Sequence, residues 1–308
     1  MNDQIDRVSR RQFLKATLAA AALPLLPAGA HAAAEVITKP IPASGERLPV
    51  IGMGTSRTFD VRLDGERRGA LSEVLQAFFD QGGTLIDSSP MYGTAEQVIG
   101  ELLKTTRRRA LFAATKVWID GQQAGMEQME HSRALWGIPR FDLMQIHNLR
   151  DWKVHIETLK AWKTQGKIRY IGITTSQGRE HDELERALKK ERFDFVQLTY
   201  TLEEREVEQR LLPLAAERGV AVLVNRPFQR GGLFGKVQGK PLPEWAKEFD
   251  CASWGQFFLK FAVSHPAVTC AIPATSKVKH MLDNMGAGQG RLPEATMRER
   301  MIGYIAGL

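Results

Sequence analysis

Cysteine is scarce in this 308-residue chain. Its two thiols, Cys251 and Cys270, are too few for a disulfide framework and are expected to be separate and buried. The apolar run at 16–26 stops short of the roughly 20 residues a membrane-spanning helix needs, so stable membrane insertion is not expected. No linker rich in Gly, Ser or Pro divides the chain after residue 33, which argues against two separate domains. The dinucleotide fingerprint G-x-G-x-x-G is missing after the first strand candidate, so an open-sheet nucleotide site is disfavoured. Neither an H-x-H pair nor a cluster of Cys, His and carboxylates stands at the strand ends, and a metal centre is therefore poorly supported. The charge surplus is also small. The formal balance is +7, and removing residues 1–33, with four bases against two acids, leaves +5 spread along the chain. Nucleic acid is not indicated; an anionic small ligand would suit that excess.

What the chain does have begins with an address. Ser9 to Lys15 reads SRRQFLK, which resembles the twin-arginine export motif. The apolar run follows, and AHA at 30–32 forms a small-residue cleavage site. Residues 1–33 are thus expected to be a removed signal peptide read by the twin-arginine machinery, and the mature protein, 34–308, to reach the periplasm. That route carries folded cargo, which fits a cofactor bound in the cytoplasm before export.

From residue 48 onward, LPVIGMG, TLID, ALFAAT, DLMQIH, RYIGIT, DFVQL, VAVLVN and VTCAIP form eight strand candidates. Helical periodicity separates them. Leu71, Val74, Leu75, Phe78 and Phe79 share a face before Gly82, as do Val207, Leu211, Leu214 and Ala215 before Gly219. Eight strands alternating with helices at the spacing of one strand-helix unit predict a single α/β domain, a (β/α)8 TIM barrel. Its longest connection, PFQRGGLFGKVQGKPLPEW, is expected to be an ordered loop over the active face. Arg230, Lys236 and Lys240 are its candidate phosphate contacts.

In such a barrel the active site forms where strands exit. The second strand exits at Asp87, with Tyr92 on the loop beyond it; the third exits at Lys116 and the fourth at His147. A phenol near a buried ammonium has its ionised form favoured, and a carboxylate fixes the ammonium in place. The expectation is a lowered Tyr92 pKa, with His147 orienting a carbonyl oxygen or relaying the proton. This is proton-transfer chemistry that needs a separate hydride source.

These stretches, with GGTLIDSSPMYGTAEQVIGELL, GKIRYIGITTS and AIPATSKVKHMLDN, are similar to the aldo-keto reductase family over nearly all of residues 47–292. The resemblance implies that Asp87, Tyr92, Lys116 and His147 form the catalytic tetrad, with Tyr92 the general acid. It implies a nicotinamide cofactor, NADPH in preference to NADH, and a small carbonyl compound as substrate. Gln197 matches the glutamine that holds the carboxamide, and Thr174 and Thr175 stand where the family commonly has Ser-Asn. Asn225 falls where many members place an aromatic ring, with Arg226 beside it as another cofactor contact. Thr275, Ser276 and Lys277, at the N-terminus of the last motif's helix, suit phosphate. His280 stands where the family often uses Arg and clamps less firmly. Asn284 matches an adenine-side amide. Trp118, Trp152 and Phe59 are candidate walls of the substrate pocket. A monomer is expected. Two competing readings are an NADPH-holding sensor with little turnover, which the tetrad opposes, and a metal-dependent hydrolase, which lacks its ligands.

Overall fold

Period-two alternation along short strands decides which side chains fill the middle of this protein. The computed structural model describes residues 35–62, 64–108 and 110–308; the export segment, residues 1–33, lies outside the described residues. Eight parallel strands run in sequence order: β3 (Met53–Gly54), β4 (Leu85–Asp87), β5 (Phe112–Val117), β6 (Phe141–Ile146), β7 (Ile168–Thr174), β8 (Phe195–Thr199), β9 (Ala221–Asn225) and β10 (Val268–Ala271). Bridges from Ile51 to Ala271 and from Gly54 to Ala274 join the first strand to the last and close the barrel. Gly54 permits that seam, because a Cβ there would sit 2.6 Å from the Ile272 carbonyl oxygen.

Inward positions form two layers of different character. Near the floor, Leu85, Phe112, Leu143, Tyr170, Phe195 and Ala221 make an apolar plug. Two to four residues further along the same strands, the inward face turns polar with Asp87, Lys116, Gln145 and Gln197, all buried. Outward residues such as Ile86, Met144, Val196 and Val222 pack against the surrounding helices. The helical expectation for 71–79 holds: Leu71, Val74, Leu75 and Phe78 are the buried face of helix Gly65–Asp80, whose start is capped by Asp64.

Two sequence expectations are corrected, and two further helices go beyond them. LPVIGMG is not one strand. Leu48 and Pro49 belong to β2 (Arg47–Pro49), which pairs antiparallel with β1 (Thr38–Pro40), and only Met53–Gly54 joins the barrel. This hairpin seals the floor: Ile41 and Leu48 pack into the apolar plug, and Lys39 Nζ donates to the carbonyls of Val263, His265 and Val268 at 2.7–2.8 Å. Val207 lies in a separate tight turn, and the helix proper is Leu211–Glu217. Pro213 explains the break, since its ring obstructs backward extension through Gln209. The long connection after β9 is ordered as expected but carries its own short helix, Gly232–Lys236. A terminal helix, Ala295–Ala306, lies beyond the reach of the strand-helix pattern and is held by Arg298, which donates to Ser264 Oγ at 2.7 Å. Cys251 and Cys270 are free and buried, as expected.

Candidate active site

Asp87, the last residue of β4, and Lys116, on β5, face each other inside the barrel at Oδ2 to Nζ 2.5 Å, with side chains 2% and 0% exposed. Such a pair persists in low dielectric only when its remaining hydrogen-bonding capacity is met. It is met here. Lys116 Nζ also donates to the Ser88 carbonyl at 2.7 Å, while Asp87 Oδ1 accepts from Gln145 Nε2 at 2.8 Å and Gln197 Nε2 at 2.9 Å. Burial alone would lower the Lys116 pKa, but Asp87, with Tyr92 and Glu96 adding to it, more than offsets this and the net direction is upward. The ammonium stays charged.

Tyr92 arrives from the loop after β4, its ring centroid 5.2 Å from Lys116 Nζ and 5.7 Å from the His147 ring, which it meets edge to face at 87°. The expectation of a lowered phenol pKa is corrected. The ring is half-buried but its hydroxyl is deeply so, and burial together with the Asp87 charge raises the pKa by more than Lys116 and Arg230 lower it. His147 opens the single turn after β6 and is pushed down to about 2 by burial and then by Lys116. It is a neutral imidazole at any physiological pH, so it acts through hydrogen bonds.

Above this floor lies a cavity of about 810 Å³ lined by Asp87, Tyr92, His147, Thr174, Gln197 and Asn225, with Arg226, Thr275, His280 and Asn284 further along its wall. Four expected positions are elsewhere. Thr175 is buried outside the lining and donates to the Arg179 carbonyl at 2.6 Å, and Ser276 and Lys277 are exposed beside the wall. Lys116 lies beneath Tyr92 and is not itself on the wall. Of the loop cations only Arg230 reaches the lining, since Lys236 pairs with Glu203 and Lys240 stands apart. The proposed aromatic walls also fail: Phe59 is fully buried, Trp152 is buried with its Nε1 donating to Glu183 at 2.8 Å, and Trp118 packs on Arg150 at 4.9 Å. Phe234 and Trp254, from the long connection and the helix after it, supply the apolar wall instead.

Asn225 does not leave a void where an aromatic ring was expected to be missing. Its Nδ2 donates to the Thr175 carbonyl at 2.9 Å and Gln197 Oε1 at 3.3 Å, and its Oδ1 accepts from Thr199 Oγ1 at 2.7 Å. Gln197 in turn donates to Gln145 Oε1 at 3.0 Å, so a hydrogen-bonded chain crosses from β9 to β4. Gly172 makes room for it, because a Cβ there would fall 2.7 Å from Gln145 Cγ. Gln145, Ser89 and Lys279 were not among the expected site residues. Gln145 was findable: it shares inward parity with His147 in MQIH.

Residues 50–300 match the aldo/keto reductase family, and residues 7–27 match the twin-arginine translocation pathway signal sequence. The chain belongs to the aldo/keto reductase family. It is an oxidoreductase of that family carrying a twin-arginine export signal. The methylglyoxal reductase YeaE of Escherichia coli is 29% identical over 269 residues, 84% of this chain and 92% of that one. An NADH-specific methylglyoxal reductase of the same organism is 26% identical over 216 residues, 60% of this chain and 64% of that one. Among solved structures, an aldo/keto reductase from Klebsiella pneumoniae in complex with NADP and acetate superposes with a TM-score of 0.70 at 23% identity, covering 85% of this chain and 93% of that one. The shared fold is the (β/α)8 barrel. Among the described residues no helix is long and apolar enough to cross a membrane.

Proposed function

We propose that this aldo/keto reductase family member is a periplasmic NADPH-dependent reductase of small aldehydes or ketones, in which Tyr92 protonates the carbonyl oxygen. The observation that carries this reading is the buried Lys116–Asp87 pair directly beneath a deeply set Tyr92 hydroxyl, facing a cavity large enough for a cofactor. The residues present fit an anionic dinucleotide. Arg226 lines the cavity with Nε and Nη1 buried and without an acceptor, and burial with neighbouring Arg230 pushes its pKa down. Two buried guanidinium N–H groups with nothing to donate to are costly alone and favourable against a phosphate. Asn284, His280 and Lys279 extend the same wall, while Thr174 and Gln197 lie at its deep end. Bound there, the reduced nicotinamide would supply the hydride.

The chain's own residues would do the rest. Tyr92 donates its proton as charge develops on the carbonyl oxygen, and the Lys116 ammonium stabilises the phenolate left behind. Asp87, held by Gln145 and Gln197, keeps that ammonium in place. His147, neutral, hydrogen-bonds the same oxygen. NADPH is favoured over NADH on the cations that line the wall besides Arg226, namely Arg57, Arg230 and Lys279, against Asp283 and an Asp87 already paired with Lys116. Mass spectrometry of protein recovered from the periplasmic fraction should show an N-terminus near Ala33 and retained nucleotide. NADPH consumption with a panel of aldehydes and ketones should follow. A cytoplasmic, uncleaved chain would defeat the location, and no turnover on any carbonyl would defeat the activity.

Arg226 provides a test of the cofactor fit. In Arg226→Ser, affinities for NADPH and NADH read by fluorescence titration should both weaken by roughly tenfold or more, the scale of a lost hydrogen bond to a charged group. The free protein should melt no lower than wild type, because the substitution removes two buried N–H groups that have no acceptor. Unchanged affinity for both nucleotides would place the guanidinium away from the cofactor.

A further inference from the structure

What His147 offers a substrate depends on which ring nitrogen carries its proton, and a residue outside the tetrad decides this. Ser89 Oγ lies 2.8 Å from His147 Nδ1. The same oxygen accepts the Met91 backbone N–H at 3.2 Å. Among the described residues the Ser89 hydroxyl hydrogen therefore has one acceptor within reach, His147 Nδ1. Ser89 is fully buried, so water does not offer another. Were the ring proton on Nδ1, Ser89 Oγ would accept from two donors and bury its own hydrogen unpaired, an arrangement native interiors avoid. With the proton on Nε2 every group is satisfied. Lys116 and Arg179, the cations that bear on this ring, oppose a second proton, so the imidazole is neutral and has one N–H to place.

We propose that Ser89 is a positioning residue that holds His147 as the Nε2–H tautomer, turning its cavity-facing nitrogen into a donor to the substrate carbonyl oxygen. The inference rests on the reductase reading above and specifies how His147 serves it. His147 lines the cavity, and among the described residues its Nε2 has no hydrogen-bond partner of its own. Tyr92, whose ring meets His147 at a right angle, offers its hydroxyl to the same space. A carbonyl oxygen has two lone pairs, and Tyr92 O–H and His147 Nε2–H would occupy one each. The opposite tautomer would point a nitrogen lone pair at that oxygen and repel it. Ser89 thus acts without touching substrate, two residues past Asp87 on the loop that also carries Tyr92.

The test combines nitrogen NMR with kinetics on the mature, full-length enzyme labelled with 15N-histidine. The His147 signals are assigned by their loss in His147→Asn. Wild type is expected to show Nε2 protonated and Nδ1 bare. Ser89→Thr, which keeps the hydroxyl, should retain that pattern and turnover within about threefold, while Ser89→Ala should show mixed tautomers and a kcat lower by roughly tenfold, with NADPH affinity unchanged. A wild-type ring protonated on Nδ1 overturns the proposal even if Ser89→Ala fails to fold. So does Ser89→Ala with a wild-type tautomer and wild-type kcat. Wild-type enzyme that reduces no carbonyl at all would instead defeat the reductase reading, and the spectrum would still decide the tautomer.

Discussion

Tyr92→Phe should lower carbonyl reduction by roughly 10²- to 10⁴-fold, the range attributable to a lost general acid, while leaving NADPH affinity nearly as it was. The ring keeps its place, edge-on to His147 and above Lys116, so the cavity retains its shape and loses only a proton. Initial rates at saturating substrate and cofactor, together with a fluorescence titration of NADPH, separate the two effects. Activity comparable to wild type would mean that another group protonates the substrate. The pH dependence has a definite sign. Burial sets the Tyr92 pKa above its ordinary value, so the acid form persists through neutral pH and reduction should stay flat well into the alkaline range.

Lys116→Met should have a compound effect on stability and on chemistry. Removing the ammonium strands Asp87 as a buried, unpaired carboxylate 2% exposed, and breaking such a pair typically costs about 3–5 kcal/mol. Denaturant unfolding should show that loss, and Lys116→Met combined with Asp87→Asn should regain much of it. Activity should not return with stability. The ammonium lowers the Tyr92 pKa against the upward pull of burial, so its removal moves that pKa higher still. In the alcohol-oxidising direction, where phenolate is the working form, the alkaline rise in rate should shift to higher pH. A folded variant with the wild-type profile and merely a smaller amplitude would make Lys116 a structural residue only.

The sequence disclosed those parts of the molecule that depend on local pattern. Seven of the eight barrel strands stand where apolar runs end at Asp87, Lys116, His147, Thr174 and their counterparts, because a parallel strand buried on both faces reads as an uninterrupted apolar run. The first strand was misread. In LPVIGMG a hairpin residue and a barrel residue are both apolar, and only the pairing partner, Lys39 for Leu48 and Ile86 for Met53, tells them apart. The tetrad was visible since each member stands at or just past a strand's end, and Gln145 could be found from its parity with His147, but Ser89 was not visible, since it acts through a partner 58 residues away in sequence. The sign of the Tyr92 shift needed depth as well as neighbours. An ammonium nearby is legible in the residues; how thoroughly water is excluded from the hydroxyl is a property of the closed barrel.

The hydrogen-bonded chain from Asn225 through Gln197 to Asp87 makes position 225 epistatic with the catalytic floor. An aromatic ring there, as many relatives of this chain are expected to carry, would do more than stack on a nicotinamide. It would deprive Thr199 Oγ1 of its acceptor and Gln197 Oε1 of a donor, and Gln197 is one of the two amides holding Asp87. The choice of residue at 225 is therefore tied to those at 197 and 199. A lineage drifting between the two arrangements, or an engineer grafting one onto the other, would have to move all three together, and single substitutions along the way would pass through a less active enzyme.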